Sequence, residues 1–248
     1  VFDRLFEVTR EAKEGRFLSS KTGNGGTIGV DVGNTIVTTN YDMASWLYHR
    51  LVGVELADGF KSTRREYIKE LDFKEYGARH SSRWLIKLHG SIWQFNQGDK
   101  IIQTIAPPDS LPLQISVGEQ MMIYPVGEKP ILQEPYYTFY SIFKEQPWNV
   151  LITIGYSFRD EPINIAILER LKIRPPPKCK LIVVNPDAES VIANLGPISP
   201  EINQRIFRIN ETFGDTQSLF DTIKISIESS SWNDYNKQRL QRLQKFHS

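Results

Sequence analysis

The sequence is poor in cysteine, in long apolar runs and in net charge, and each shortage excludes a class of protein. Cys179 is the one cysteine in 248 residues, so the sequence allows neither an internal disulfide nor a cysteine-based zinc site. The longest apolar runs, such as 149–155, are far shorter than the ~20 residues of a transmembrane helix. The 30 basic and 29 acidic residues give a net charge of +1, which offers no electrostatic reason to expect nucleic acid or a membrane as the main partner.

What remains is the composition of an ordinary globular protein, with 40% hydrophobic residues. The length suits one large domain with a well-buried core, and we expect a single domain over residues 1–248 in the reducing cytoplasm. The chain begins at Val1 rather than at a methionine, so we expect it to be a fragment of a larger protein. A charged helix predicted over 232–246 would connect it to the rest.

Short β-branched or aliphatic runs alternate with helical patterns along the chain. The first run is 35–39, and apolar residues at helical spacing follow it at Met43, Leu47 and Leu51. Further strands are predicted at 84–88, 148–154, 180–184 and 205–209, and further helices at 2–17, 135–144, 162–170, 188–195 and 212–227. This alternation predicts a doubly wound α/β fold with a mainly parallel, Rossmann-like sheet.

The sheet strands are predicted within about 35–52, 84–95 and 148–227. Residues 92–95 continue as a second strand, and a hairpin turn at 96–99 leads into a strand at 100–105. The remaining parts of 53–83 and 96–134 are polar or rich in turn residues. We therefore predict that these two insertions form peripheral helical or irregular modules.

Polar side chains follow the predicted strands at the points where the strands end. Because ligands bind at the carboxyl ends of strands in open α/β sheets, these corners are candidate site residues. A single corner of this kind is often only a helix cap or a turn, but five at one edge favour a binding site. The five corners are Asn40 with Asp42, His89 with Ser91, Gly155 with Ser157 and Asp160, Asn185 with Asp187, and Gly214 with Asp215.

Four motifs occur in an order that resembles the SIR2-like, or sirtuin-related, superfamily. They are Thr38-Thr39-Asn40-Tyr41-Asp42, Lys87-Leu88-His89-Gly90-Ser91, Gly155-Tyr156-Ser157-Phe158-Arg159-Asp160 and Val184-Asn185-Pro186-Asp187. The chain is most similar to the sirtuin-related domains of bacterial anti-phage defence proteins, which hydrolyse NAD. The resemblance covers about 35–227.

The resemblance implies a role for each matching residue. Asn40 and Asp42 match the nicotinamide-pocket motif, which also includes Thr39, and His89 matches the catalytic histidine. Gly155 and Ser157 match the Gly-x-Ser that contacts phosphates and ribose, and Asn185 matches the asparagine at the adenosine ribose. Gly214 and Asp215 resemble a late corner near the adenine. NAD is the substrate, and no metal is expected.

These residue types suit cleavage of the nicotinamide–ribose bond, which loses a good leaving group through an oxocarbenium-like state. Asn40 can orient ribose hydroxyls or water because an amide both donates and accepts hydrogen bonds. Asp42 can bind the carboxamide or stabilise positive charge, and His89 can act as a general base. His49, His80 and His247 are predicted to be surface or packing residues instead.

Two departures from the family pattern leave alternatives open. The chain lacks the four thiolates of the zinc ribbon found in protein-deacylating sirtuins, so a deacylase is the least favoured function. A Gly-Ala-Gly phosphate turn is not recognisable before Asn40. A catalytically quiet module that binds ADP-ribose or NAD as a sensor, or that serves as a scaffold, is therefore the alternative to an NAD⁺ glycohydrolase. We expect a homo-oligomer or partner subunits of a defence complex.

Overall fold

The computed structural model describes residues 35–53, 56–64, 67–76, 83–107, 110, 118–123, 134–145, 148–173, 179–212 and 216–238, and within them the chain is a mixed α/β protein. It divides into two compact units, which we call the central unit (Thr27–Gln146) and the terminal unit (Val1–Gly26 with Pro147–Ser248). The expectation of one domain over 1–248 stays a prediction. The predicted helix at 2–17 lies outside the described residues.

The central unit contains a parallel sheet of three strands: β1 (Thr35–Thr38), β2 (Leu56–Ala57) and β5 (Arg83–Lys87). Its order is β1-β5-β2, and Thr38 lies beside Lys87 in the register. Helix α1 (Ala44–Leu51) follows β1, and its Trp46 packs with Met43 and Leu85 in a buried cluster. The predicted strand and its following helix are thus confirmed as elements, because β-branched residues favour a strand and apolar residues recur behind it at helical spacing. The strand is half-buried rather than buried, and of the apolar residues that predicted the helix Leu47 and Leu51 are exposed.

The same unit contains an antiparallel sheet of five strands. The strands are β3 (Phe60–Ser62), β4 (Ile68–Leu71), β6 (Gly90–Gln97), β7 (Lys100–Thr104) and β8 (Gln120–Met122). Their order is β3-β4-β7-β6-β8. Strands β6 and β7 form the predicted hairpin, with Gln97 opposite Lys100 and a turn at Gly98 and Asp99.

The prediction that 53–83 and 96–134 form helical or irregular modules is wrong. Besides the predicted β7, these stretches contribute β2, β3, β4 and β8, and a short 3-10 turn at Phe73–Tyr76 is the helical piece among their described residues. The four unpredicted strands were hidden because they are two to four residues long and carry charged or polar side chains such as Lys61, Ser62 and Lys69. An antiparallel strand with one solvated face needs fewer apolar residues than a buried parallel strand.

Helix α2 (Tyr136–Glu145) completes the described part of the central unit. Tyr136, Phe139, Tyr140 and Phe143 are all buried. These four aromatic residues recur at helical spacing and form the buried face of α2, whereas Tyr137 is exposed.

The terminal unit is built on a second parallel sheet, with β9 (Val150–Ile154), β10 (Lys180–Val184) and β11 (Ile206–Ile209) in that spatial order. Helix α3 (Glu161–Lys172) connects β9 to β10. Helices α4 (Ala188–Ala193) and α5 (Pro200–Asn203) connect β10 to β11. Strand–helix–strand crossovers of this kind place successive parallel strands side by side.

Helix α6 (Thr216–Glu228) and the helical residues 232–238 follow β11. Ile182, Phe207, Leu219, Ile223 and Tyr235 form the centre of a buried cluster that joins this segment to the sheet. Strands β10 and β11 are buried along their whole length, which explains why their apolar runs could be predicted from the sequence. Among the described residues, no helix has the length and hydropathy needed to cross a membrane.

Candidate functional site

The predicted site residues fall into two groups, one in each unit. Thr39, Asn40, Asp42 and His89 belong to the central unit, and Gly155, Ser157 and Asn185 belong to the terminal unit. The remaining pair, Gly214 and Asp215, lies outside the described residues.

In the central unit, adjacent parallel strands bring Asn40 and His89 to the same edge. Each residue lies two positions beyond the register pair Thr38 and Lys87. The amide of Leu88 donates to the carbonyl of Thr38 at 3.0 Å, so the pairing continues past the strand ends. The ring of Tyr41 lies 6.5 Å from the ring of His89, centroid to centroid. The first two predicted motifs therefore share one sheet edge.

The segment between Asn40 and Asp42 is fixed at its middle residue. The carbonyl of Tyr41 accepts hydrogen bonds from Ser91 Oγ at 2.9 Å and from the amide of Ile92 at 3.0 Å. The phenol of Tyr41 donates to the carbonyl of Ile123. Ser91, predicted as part of a polar corner, thus binds the other corner of the same edge.

Asn40 and Thr39 lie at the more open side of this segment. Asn40 is exposed and Thr39 is half-buried. The amide of Asn40 donates to Thr38 Oγ1 at 3.0 Å. Within the described part of the chain, the hydrogen bonds of Asn40 run through its backbone, and its carboxamide is at the solvent-facing side of the edge.

The carboxylate of Asp42 binds the first N–H of helix α1 from one residue before the N-cap position, which Met43 occupies. Its Oδ1 accepts a hydrogen bond from the amide of Ala44 at 2.8 Å, where the first helical N–H groups lack intrahelical partners. A negative charge at this position also interacts favourably with the helix dipole. Asp42 therefore has a structural function in addition to any chemical one.

His89 is 6% exposed, and its position is set by close backbone packing. Its carbonyl accepts a hydrogen bond from the amide of Ile123 at 2.9 Å. The next residue, Gly90, has a φ of +74°, and a Cβ there would lie 1.9 Å from the carbonyl oxygen of Met121. Glycine is required at this turn for both conformation and space.

Lys87, which is not among the predicted site residues, contacts the Asn40–Asp42 segment directly. Its side chain is buried, and Nζ donates to the carbonyl of Asn40 at 2.9 Å and to the carbonyl of Asp42. Burial lowers the pKa of Lys87 to about 8, although the charge of Asp42 acts in the opposite direction. The available signal was a lysine that directly follows the apolar run Trp84-Leu85-Ile86 and opens the histidine motif.

In the terminal unit, the register aligns three strand ends. Ile154, Val184 and Ile209 are neighbours in the sheet. The residues that follow them are Gly155, Asn185 and Asn210, so these three come together at the carboxyl edge. The amide of Gly155 donates to the carbonyl of Val184 at 2.9 Å, and that of Asn185 donates to the carbonyl of Ile209 at 3.1 Å.

Side-chain amides at this edge close the local turns. Asn185 Oδ1 accepts from the amide of Asp187 at 3.0 Å. Asn210 Oδ1 accepts from the amide of Ala188 at 3.1 Å. Asn210 was missed by the sequence reasoning, although it directly follows the predicted strand at 205–209. Asp187 caps α4 by accepting from the amide of Ser190 at 3.3 Å.

Gly155 combines a left-handed conformation with open space. Its φ is +67°, and among the described residues no heavy atom outside its chain neighbours lies within 4 Å of where a Cβ would be. The backbone at this corner can therefore be approached closely by another group.

The loop after Gly155 is held by neutral amides. Asn164 Nδ2 donates to the carbonyl of Phe158 at 2.8 Å and to that of Asn194 at 3.0 Å. Asn194 Nδ2 donates in turn to the carbonyl of Ser157 at 3.0 Å. Phe158 is buried and has a φ of +53°, which an L-residue adopts at a cost. The two asparagines supply the contacts that maintain this conformation.

Tyr156 and Asp160 form the outer part of the same loop. Tyr156 Oη donates to Asp160 Oδ2 at 3.4 Å, and burial together with the Asp160 charge raises the pKa of the phenol. Asp160 is buried at the N-terminus of α3. The tyrosine therefore stays protonated and acts as a hydrogen-bond donor.

Fold and site together define a mixed α/β protein whose two parallel sheets carry polar side chains at their carboxyl edges. The chain matches none of the known protein-family models, and no curated protein is significantly similar to it. Among the described residues, no group of His, Cys, Asp and Glu has the arrangement of a metal site.

Proposed function

We propose that the chain is an NAD⁺ glycohydrolase of the SIR2-like type. It would cleave the nicotinamide–ribose bond and release nicotinamide with ADP-ribose or cyclic ADP-ribose. The observation that carries the proposal is the position of Asn40 and His89. Each lies two residues beyond the end of one of two adjacent parallel strands. The proposal includes the finer fold, a doubly wound SIR2-like sheet, which the parallel order β1-β5-β2 supports.

The three candidate catalytic residues of the central unit, Asn40, Asp42 and His89, each have a proposed chemical role. The exposed carboxamide of Asn40 orients a ribose hydroxyl or the attacking water, since an amide can both donate and accept. His89 acts as the general base, because imidazole titrates near neutrality. The hydrogen bond at the start of α1 uses Oδ1 of Asp42, and Oδ2 is the atom that would bind the carboxamide or stabilise the oxocarbenium charge.

Within the terminal unit, three residues are assigned to contacts with a nucleotide. Gly155 and Ser157 would contact phosphate and ribose, and Asn185 would contact the adenosine ribose. The open space beside Gly155 supports the first assignment, and the shared register of Gly155 and Asn185 supports the second. Gly214 and Asp215 remain assigned to the adenine on the resemblance alone.

The biological setting is part of the same proposal. The protein would act in the cytoplasm as the NAD-depleting effector of an anti-phage defence system. It would work as a homo-oligomer or with partner subunits that supply its trigger. The measurement must therefore include conditions that activate the system.

The test is release of nicotinamide from NAD⁺ by the purified protein under activating conditions. Asn40→Ala and His89→Ala should each lower the rate by ~10²–10⁴-fold, the usual contribution of such a group. His49→Ala is the matched control, because His49 is also a buried histidine of the central unit and its Nδ1 lies 2.6 Å from the carbonyl oxygen of Ser45. Undiminished release by His89→Ala, or no release by the unchanged protein, would overturn the proposal.

A second function, a catalytically quiet module that binds ADP-ribose or NAD, is favoured by two other observations. The carboxylate of Asp42 is engaged in a hydrogen bond at the start of α1, and His89 is largely buried. Both residues then serve the fold rather than a reaction. Calorimetry with ADP-ribose distinguishes the candidates, because a sensor binds without turnover and a scaffold does not bind.

A further inference from the structure

We propose that Lys87 is a positioning residue, which holds the Asn40–Asp42 segment in the conformation that presents Asn40 and Asp42 at the sheet edge. The importance of this role for catalysis rests on the proposed hydrolase function. The fixing of the segment by Lys87, which we call the hold, is a property of the fold. It is carried by the two hydrogen bonds from one buried ammonium to two carbonyls of the same short segment.

The hydrogen bonds of the segment show why Lys87 matters. Ser91, Ile92 and Ile123 all bind Tyr41, the middle residue. Lys87 binds the carbonyls of the residues on either side, Asn40 and Asp42. Lys87 thus binds the carbonyls on both sides of Tyr41, at the two positions whose side chains are the candidate catalytic groups. It joins them to one strand residue, whereas the other hydrogen bonds of Asn40 and Asp42 are local ones, to Thr38 and Ala44.

The cost of burying Lys87 supports a role beyond stability. Lys87 is 4% exposed, and burying a charged residue is weak evidence for a stabilising interaction because of its desolvation cost. An apolar residue in strand β5 would avoid that cost. Retaining a charge there makes sense if the conformation of the segment is what the charge maintains.

Lys180 provides a matched control in the terminal unit. It too is a buried lysine in a parallel strand, and its Nζ donates to the carbonyl of Ile227 at 2.5 Å and to that of Ser229. Those carbonyls lie at the C-terminal end of α6, far from any predicted site residue in the sequence. Lys180→Met therefore removes a buried ammonium without touching the Asn40–Asp42 segment.

The first experiment measures hydrogen exchange of the peptide spanning 39–45 in the unchanged protein, in Lys87→Met and in Lys180→Met. Lys87→Met should accelerate exchange of this peptide by about tenfold or more, since the local opening is no longer opposed, and leave peptides of 148–212 unchanged. Lys180→Met should leave 39–45 unchanged. Equal exchange of 39–45 in Lys87→Met and the unchanged protein would overturn the hold.

The second experiment uses Lys87→Ala with added propylamine, which replaces the missing part of the side chain. Propylammonium should restore slow exchange of 39–45 and raise nicotinamide release, with the defect and its rescue in kcat rather than in KM. Faster exchange with an unchanged kcat would overturn the positioning role. If the unchanged protein releases no nicotinamide, the proposed function fails. Hydrogen exchange of 39–45 alone then decides whether Lys87 fixes the segment.

Discussion

Each of the two parallel sheets has a loop at its carboxyl edge. The side chains that hydrogen-bond the two loops differ in charge. In the central unit, the loop after β1 is held by the buried ammonium of Lys87. In the terminal unit, the loop after β9 is held by the neutral carboxamides of Asn164 and Asn194. Burying the ammonium costs far more desolvation than burying a carboxamide, and the ammonium titrates with pH, whereas the carboxamide does not. The pair therefore separates the effect of charge from the effect of hydrogen bonding.

The largest expected difference concerns the glycines of the two edges. Gly90→Ala would place a Cβ 1.9 Å from the carbonyl oxygen of Met121, with φ at +74°, so we expect a loss of more than ~4 kcal/mol or no folding. Gly155→Ala meets open space and has only its conformation to overcome, at a cost of ~1–2 kcal/mol. Urea unfolding of both variants measures the difference, and similar losses would contradict it.

Gly155→Ala also tests the ligand assignment. Because the variant keeps its fold, the added methyl group occupies the space proposed for a phosphate. Calorimetry should therefore show a loss of ADP-ribose binding in a folded protein. Retained binding would remove Gly155 from the proposed site.

The next effect is the pH dependence of stability that Lys87 creates. Its pKa is about 8 in the folded protein and about 10.5 when unperturbed, so between these values the unfolded chain binds more protons than the folded one. Stability then rises with pH over that interval. The difference of 10.5 − 8 = 2.5 corresponds to about 3 kcal/mol.

This dependence is isolated by comparison with a variant that cannot titrate. The unfolding free energy of the unchanged protein, minus that of Lys87→Met, should be flat below about pH 8 and increase above it. A flat difference across the whole interval would contradict the predicted burial of the charge. The rise also implies that the ammonium form of Lys87 is costly for the fold.

These differences explain how far the sequence could predict the structure. The runs at 150–154, 180–184 and 206–209 could be predicted because each is largely apolar, and the last two belong to strands that are buried along their whole length. Strands such as Phe60–Ser62 could not, because their polar residues resemble those of a loop. The carboxyl edges followed from the alternation of strand and helix, which placed Asn40 and His89 correctly on one edge.

The residues that hold the loops could not be predicted in the same way. Lys87 reaches a carbonyl 47 positions earlier, and Asn164 reaches one 30 positions later. Such contacts depend on side-chain directions in three dimensions, and neither residue belongs to a local pattern. A lysine that ends a largely apolar strand is nevertheless a signal that the sequence shows locally.

The neutral hold of the terminal unit should contribute a smaller and pH-independent effect. Asn164→Leu removes two hydrogen bonds to backbone carbonyls, and we expect a loss of about 2 kcal/mol. The loss is moderated because, among the described residues, the buried Oδ1 of Asn164 has no hydrogen-bond partner. Unfolding at pH 7 and pH 9 should give the same loss, and a strong pH dependence would contradict the contrast with Lys87.

The substitution with the smallest expected effect on stability is that of Asp42. It also best distinguishes a structural role of the side chain from a catalytic one. Asp42 Oδ1 accepts from the amide of Ala44 at the start of α1, and the side-chain oxygen of asparagine can close the same turn. Asp42→Asn should therefore change the unfolding free energy by only a few tenths of a kcal/mol, apart from a small dipole effect. Asp187→Asn, at the cap of α4, is the matched control.

If Asp42 stabilises positive charge on the ribose, Asp42→Asn loses nicotinamide release while the fold is unchanged, and Asp187→Asn loses neither. If Asp42 serves only the start of α1, both variants retain full activity. The carboxylate must then be removed from the proposed mechanism, because a neutral amide cannot replace a negative charge opposite an oxocarbenium-like centre.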